Sequence, residues 1–123
     1  MIQNFLKENM AEYNLYLAYV GIFVNENQEF ASVSQKGYDF SFDNNFVNAF
    51  KILDNTNKKV LQEDSKLGDL KSFYSSYNTN SYYCGLINEY YLLIVFNSGF
   101  TNIAFLVDLV KRINAEFNRV IKI

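Results

Sequence analysis

Apolar residues are unevenly spaced along this chain, and the longest coherent pattern lies between Tyr82 and Phe96. Two runs flank Asn88-Glu89, residues suited to a tight turn. The second run, Tyr90 to Phe96 (Tyr-Tyr-Leu-Leu-Ile-Val-Phe), shows no apolar–polar alternation. An uninterrupted apolar strand belongs in the middle of a sheet with both faces covered. Leu15 to Val24 (Leu-Tyr-Leu-Ala-Tyr-Val-Gly-Ile-Phe-Val) has the same character and predicts a second central strand. Glu29 to Ser34 is shorter and more polar, joined to it by Asn25–Gln28, and reads as an edge strand. Leu70 to Asn78 is serine-rich and reads as a further strand, turning at Thr79-Asn80 into Ser81–Ile87.

Three segments carry a helical period. Ile2, Phe5, Leu6, Met10 and Tyr13 make one apolar stripe over residues 2–13. Phe46, Val47, Phe50, Leu53, Val60 and Leu61 do so over residues 45–63, with Asp43 or Asn44 as the cap. Asp54-Asn55-Thr56-Asn57 is poor helix material and predicts a break there. Ile103, Leu106, Val107, Val110, Ile113, Phe117 and Ile121 predict a last helix, capped by Thr101 or Asn102.

The predicted order is α-β-β-α-β-β-β-α, an α+β fold in a single domain over residues 1–123. Placing the two apolar strands together and adding hairpin partners gives a five-stranded, mainly antiparallel sheet of order 2-1-5-4-3, with the direction of the central pair open. Central strands apolar on both sides require helices on both faces.

Composition narrows the function. The formal net charge of -2 gives no general attraction to nucleic acid or anionic membrane. The longest apolar run is about half the ~20 residues of a membrane helix, so no membrane insertion is expected. Residues 1–8 lack the basic start and apolar core of a signal peptide, and the single cysteine fits a cytoplasmic location. With no histidine and one cysteine, the common zinc patterns and histidine-assisted nucleophiles are excluded. The glycines at 21, 37, 68, 85 and 99 are too far apart for a phosphate loop. No cofactor and no enzymatic activity are expected. Cys84 reads as a small packed residue rather than a redox thiol. Asp39/Asp43 and Glu63/Asp64 are paired only in polar loops or at a helix end, where solvated or capping roles are commonest. Lys111, Arg112, Arg119 and Lys122 offset the dipole of the last helix rather than mark an acidic partner.

Two groups are candidates for binding. Tyr38, Phe40 and Phe42 either close over the core or anchor a partner; the pattern does not separate these. The third strand, Ser72, Phe73, Tyr74, Ser75, Ser76 and Tyr77, lies outermost and carries neither charge nor proline. Such an edge pairs readily with another chain. With Ile52, which lies off the stripe of the middle helix, these residues form the expected dimer interface, the alternative being an edge covered by Gln35–Asp43.

The short first helix, Leu17-Ala18-Tyr19-Val20-Gly21-Ile22-Phe23-Val24, the small-residue strand Ala31-Ser32-Val33-Ser34, and the hairpin Gly85–Phe96 with its following helix together resemble the Roadblock/dynein light-chain family of the longin-like superfamily. The likeness covers nearly the whole chain but is one of pattern, and Asn25–Gln28 lacks the glycine usual in the family's first turn. The resemblance implies a non-enzymatic homodimer, or a heterodimer with a paralogue, joined through the middle helix and third strand. It implies docking or regulation of a Ras-like small GTPase, or a scaffold in a multiprotein complex. The competing class is a PAS-type sensor with a small ligand between sheet and helices. That fold would have several short helices in mid-chain and no C-terminal helix packed as core.

Overall fold

The computed structural model describes residues 2–25, 28–36, 52–56, 58–59, 70–99 and 101–121. Helix α1 (Ile2–Glu12) leads into a turn and then β1 (Leu17–Asn25) and β2 (Gln28–Ser34). Helix α2 is described over residues 52–56 and 58–59. Then come β3 (Ser72–Ser76), β4 (Ser81–Ile87), β5 (Tyr90–Phe96) and α3 (Ile103–Ile121). The sheet order is β2-β1-β5-β4-β3, as the hydrophobic pattern predicts. All four pairings are antiparallel, including the central one, where Val20 lies opposite Ile94 and Gly21 opposite Leu93.

The uninterrupted apolar strands are explained by two cores. Leu92, Ile94 and Phe96 of β5 point to one face with Leu17, Val20 and Ile22 of β1. There they meet Ile2, Leu6 and Met10 of α1 and Leu106, Leu109, Ile113 and Phe117 of α3. Leu93 and Val95 point to the other face with Ala18, Tyr19, Phe23 and Cys84. Both faces are dry: Leu6, Ile94 and Phe117 are 0% exposed on one, Ala18, Phe23 and Val95 on the other. Each such aliphatic or aromatic side chain contributes about 1.5–3 kcal/mol by leaving water, so β1 and β5 hold the structure at its centre. Between β4 and β5, Asn88 takes φ 57°, a left-handed conformation that asparagine tolerates.

Several boundaries differ from the sequence pattern. Leu15 and Tyr16 are 79% and 58% exposed and precede β1 rather than belonging to it. A turn closed by Tyr16 N–H and Leu17 N–H on the Tyr13 carbonyl (2.9 and 3.0 Å) occupies that stretch. The third strand is trimmed to five residues, 72–76. On α3, Ile103, Val107 and Ile121 are exposed, while Leu109, outside the predicted stripe, is fully buried. The buried set Leu106, Leu109, Ile113 and Phe117 follows the 3.6-residue period more closely. Asp54, Asn55 and Thr56 are helical, so no break falls on them, and Lys58 bridges Asp54 at 3.4 Å, one turn back. The predicted cap at Asp43 or Asn44 and the paired carboxylates Asp39/Asp43 and Glu63/Asp64 lie outside the described residues. Among the described residues, no helix is long and apolar enough to cross a membrane.

Candidate protein-binding edge

A five-stranded open sheet has two edges, here β2 and β3, and the chain treats them differently. In an antiparallel ladder, alternate residues aim their N–H and C=O toward the neighbouring strand and the rest aim them outward. Gln35 N–H donates to the Ala18 carbonyl at 2.8 Å, which sets the phase on β2. By the register Val20↔Val33 and Ile22↔Ala31, Val33 and Ala31 face inward and Ser32 outward. The outward groups of Ser32 are engaged by a side chain of α1. The Gln3 amide donates to the Ser32 carbonyl at 2.6 Å and accepts from the Ser32 N–H at 3.2 Å. A carboxamide here copies the peptide group that an added strand would present. Glu29 adds a charge, and two register shifts between Ile22 and Asn25 distort the ladder. Charge, irregularity and a covering group are all ways of blunting an edge.

On β3 the phase is set at both ends. Leu86 N–H donates to the Lys71 carbonyl and Tyr77 N–H to the Asn80 carbonyl, each at 2.9 Å. Residues 71, 73, 75 and 77 therefore face β4, and Ser72, Tyr74 and Ser76 aim their backbone groups outward. The β3–β4 register runs from Ser72↔Gly85 to Ser76↔Ser81 without a shift. No residue from 72 to 77 is charged. This edge is regular in register, and among the described residues it has none of the devices seen on β2; residues 37–43 of the alternative cover Gln35–Asp43 lie outside the described residues.

Its side chains are anchored from behind. Tyr74 is half-buried, and its hydroxyl accepts from the Thr101 N–H at 3.2 Å. Burial pushes its titration up, but hydrogen bonds with Ser81, Thr101 and Ser76 outweigh this and bring it below the ordinary tyrosine value. The Ser81 and Thr101 hydroxyls meet at 2.7 Å, both buried. Ser76 donates to the Gly99 carbonyl. Gly99 and Thr101 thus brace β3, and these bonds leave its outer backbone unoccupied. Tyr77 is 63% exposed and meets Tyr82 edge-to-face at 5.6 Å. Ile52 is 65% exposed. Tyr38, Phe40 and Phe42 lie outside the described residues.

Other candidate groups are absorbed by the fold. Cys84 is 1% exposed, and burial pushes its thiol up to about 12. Arg112 joins α3 to α1: it bonds Asp108 at 3.0 Å, Asn9 at 3.2 Å and the Tyr13 hydroxyl at 3.2 Å, over the Tyr13 ring. Arg119 pairs with Glu116. Lys111 is exposed, and Lys122 lies outside the described residues. Asn102 rather than Thr101 caps α3, accepting from the Phe105 N–H at 3.2 Å. Among the described residues no group of three or more His, Cys, Asp or Glu is placed to hold a metal ion. Gln3 has no signal in the sequence: a lone glutamine beside a helical stripe does not mark the strand it will meet.

Comparison of whole structures decides the architecture. Myxococcus xanthus MglB superposes with a TM-score of 0.71 at 13% identity, over 98% of this chain and 87% of that one. The gliding protein MglB of Thermus thermophilus gives 0.71 at 14% identity, over 98% and 88%. The fold is Roadblock-like. Identities this low carry the fold and nothing finer. No protein-family model and no curated protein matches the chain. The Roadblock-like reading agrees with α3, whose Leu109, Ile113 and Phe117 are 0% exposed against the sheet, the feature that a PAS-type sensor would lack.

Proposed function

We propose that this Roadblock-like chain is a non-enzymatic regulatory or scaffold module that dimerises through β3 and, as a dimer, docks a Ras-like small GTPase or a multiprotein complex. The observation that carries the proposal is the contrast between the edges: β2 is bulged, charged and covered by Gln3, while β3 is regular, uncharged and, among the described residues, bare of such devices. The Roadblock-like fold, shared with two MglB proteins, supports the partner class.

The phase of β3 specifies the pairing. Its outward residues, Ser72, Tyr74 and Ser76, are symmetric about Tyr74. An antiparallel pair with Tyr74 opposite Tyr74 of a second copy, and Ser72 opposite Ser76, satisfies all three outward N–H and C=O sets and extends the sheet across two chains. Ile52 and Tyr77 are the exposed apolar residues assigned to the flank of that interface.

The phase also separates two proline variants. At Ser72 the N–H points away from β4, and the first position of a strand tolerates proline. Ser72→Pro should therefore leave the chain folded and weaken dimerisation at least about tenfold. At Ser75 the N–H serves β4, so Ser75→Pro should reduce thermal stability directly. Sedimentation or light scattering on both variants, with circular dichroism as the folding check, tests the interface. Unaltered dimerisation in folded Ser72→Pro would place it elsewhere. The partner class is tested by retention of GTP- or GDP-loaded small GTPases from the native cytosol on immobilised dimer.

A further inference from the structure

A cavity of about 580 Å³ opens beside the start of α3; none of its lining residues belongs to β3, and the inference drawn from it is independent of the dimer reading. One wall is aromatic: Tyr13, Tyr16 and Phe105, with Tyr16 and Phe105 ring centres 5.7 Å apart. Phe96, 1% exposed, also lines it. Another wall is the polar segment that follows β5, including Asn97 and Asn102. Among the described residues, no charged residue lines the cavity.

The two asparagines offer opposite chemistry. The Asn97 amide nitrogen donates to the Asn14 and Leu17 carbonyls, each at 3.3 Å, and among the described residues its side-chain oxygen is left as an acceptor. The Asn102 side-chain oxygen accepts from the Phe105 N–H, so its amide nitrogen remains as a donor. The volume decides what fits. A dry cavity of roughly 150 Å³ holds one benzene ring, so a single inserted side chain would fill about a quarter of this one. The volume lies within the range of about 300–1,000 Å³ usual for small-molecule sites, which combine apolar walls with a few placed polar groups. Among the described lining residues a cationic or anionic ligand would find no countercharge and would lose its hydration.

The geometry points to a binding site for an uncharged, multi-ring small molecule that carries one donor and one acceptor on a single edge, as a lactam does. The rings lie against Tyr16 and Phe105. The polar edge meets Asn97 and Asn102.

The test uses 2-quinolone, a neutral bicyclic lactam, and naphthalene, which has the rings without the polar edge. Amide chemical-shift titration of the unmodified chain should show saturable binding of one 2-quinolone per chain. Shifts should be confined to residues 13–17, 96–98 and 101–106, with naphthalene at least about tenfold weaker. Two variants occupy or spoil the site at exposed positions: Ser98→Trp fills it, and Tyr16→Asp charges it. Each should reduce 2-quinolone affinity at least about tenfold while circular dichroism remains unchanged. Three results would overturn the proposal. The first is no saturable shift up to millimolar 2-quinolone. The second is shifts centred elsewhere, or affinity unaltered in whichever variants fold. The third is a change of solution mass in either variant with probe binding unaltered, which would assign the cavity to a protein contact.

Discussion

Among the described residues, the one thiol is held inert by its surroundings. Cys84 sits in β4 at 1% exposure with its thiol pushed up to about 12 by burial. It should resist a thiol reagent at pH 8 while the chain is folded and react fully in denaturant. The same shift predicts a pH dependence. An ordinary thiol titrates near 8.5, so above that pH the unfolded chain loses a proton that the folded chain keeps. The contribution of Cys84 is fully present below about 8.5 and is lost as pH rises toward about 12. Denaturant midpoints of the native chain and Cys84→Ala, compared across this window, should converge at up to about 1.4 kcal/mol per pH unit. A difference that stays constant with pH would contradict the burial argument. Gly99 is fixed by space rather than by chemistry. A Cβ there would lie 2.0 Å from the Tyr77 carbonyl oxygen, whereas at Gly85 it would meet the movable end of Tyr83 at 2.4 Å. Gly99→Ala should therefore cost more than Gly85→Ala, by roughly 1–3 kcal/mol as for other overpacked sites. Equal thermal shifts in the two variants would contradict this.

Elements were legible in proportion to how one-sided their surroundings are. β5 could be read because both its faces are apolar, and its bounds, Tyr90–Phe96, match the sequence pattern. The start of β1 could not, because Leu15 and Tyr16 are apolar for a reason unrelated to the sheet: they lie at the rim of a cavity. On α3 the exposed Ile103 and Val107 blurred the stripe, and Leu109 was overlooked beside them. The β3 edge was legible from what it lacks, charge and proline. The guard on β2 was not, because Gln3 and Ser32 are 29 residues apart and meet only in the fold. That guard can be tested alone. Gln3→Ala removes both bonds to Ser32, and a net loss of about 1–2 kcal/mol is expected. It should also add a second, concentration-dependent association to that of the native chain, visible as larger species in light scattering. An unaltered size distribution in a folded Gln3→Ala would mean that the bulges and Glu29 suffice to protect that edge.

At the scale of the molecule, the Roadblock-like sheet has two edges, and among the described residues only the β2 edge is covered by a side chain from elsewhere in the chain. Function on this account is a matter of surfaces: an open edge for a second copy, a composite surface for a partner protein, and a separate cavity beside α3. The claim on which the composite surface rests is the open edge. Multi-angle light scattering of the unmodified chain at high micromolar concentration measures it directly. The account predicts a mass of twice 14.4 kDa, falling toward 14.4 kDa on dilution. A mass that stays at 14.4 kDa at the highest concentration would contradict it.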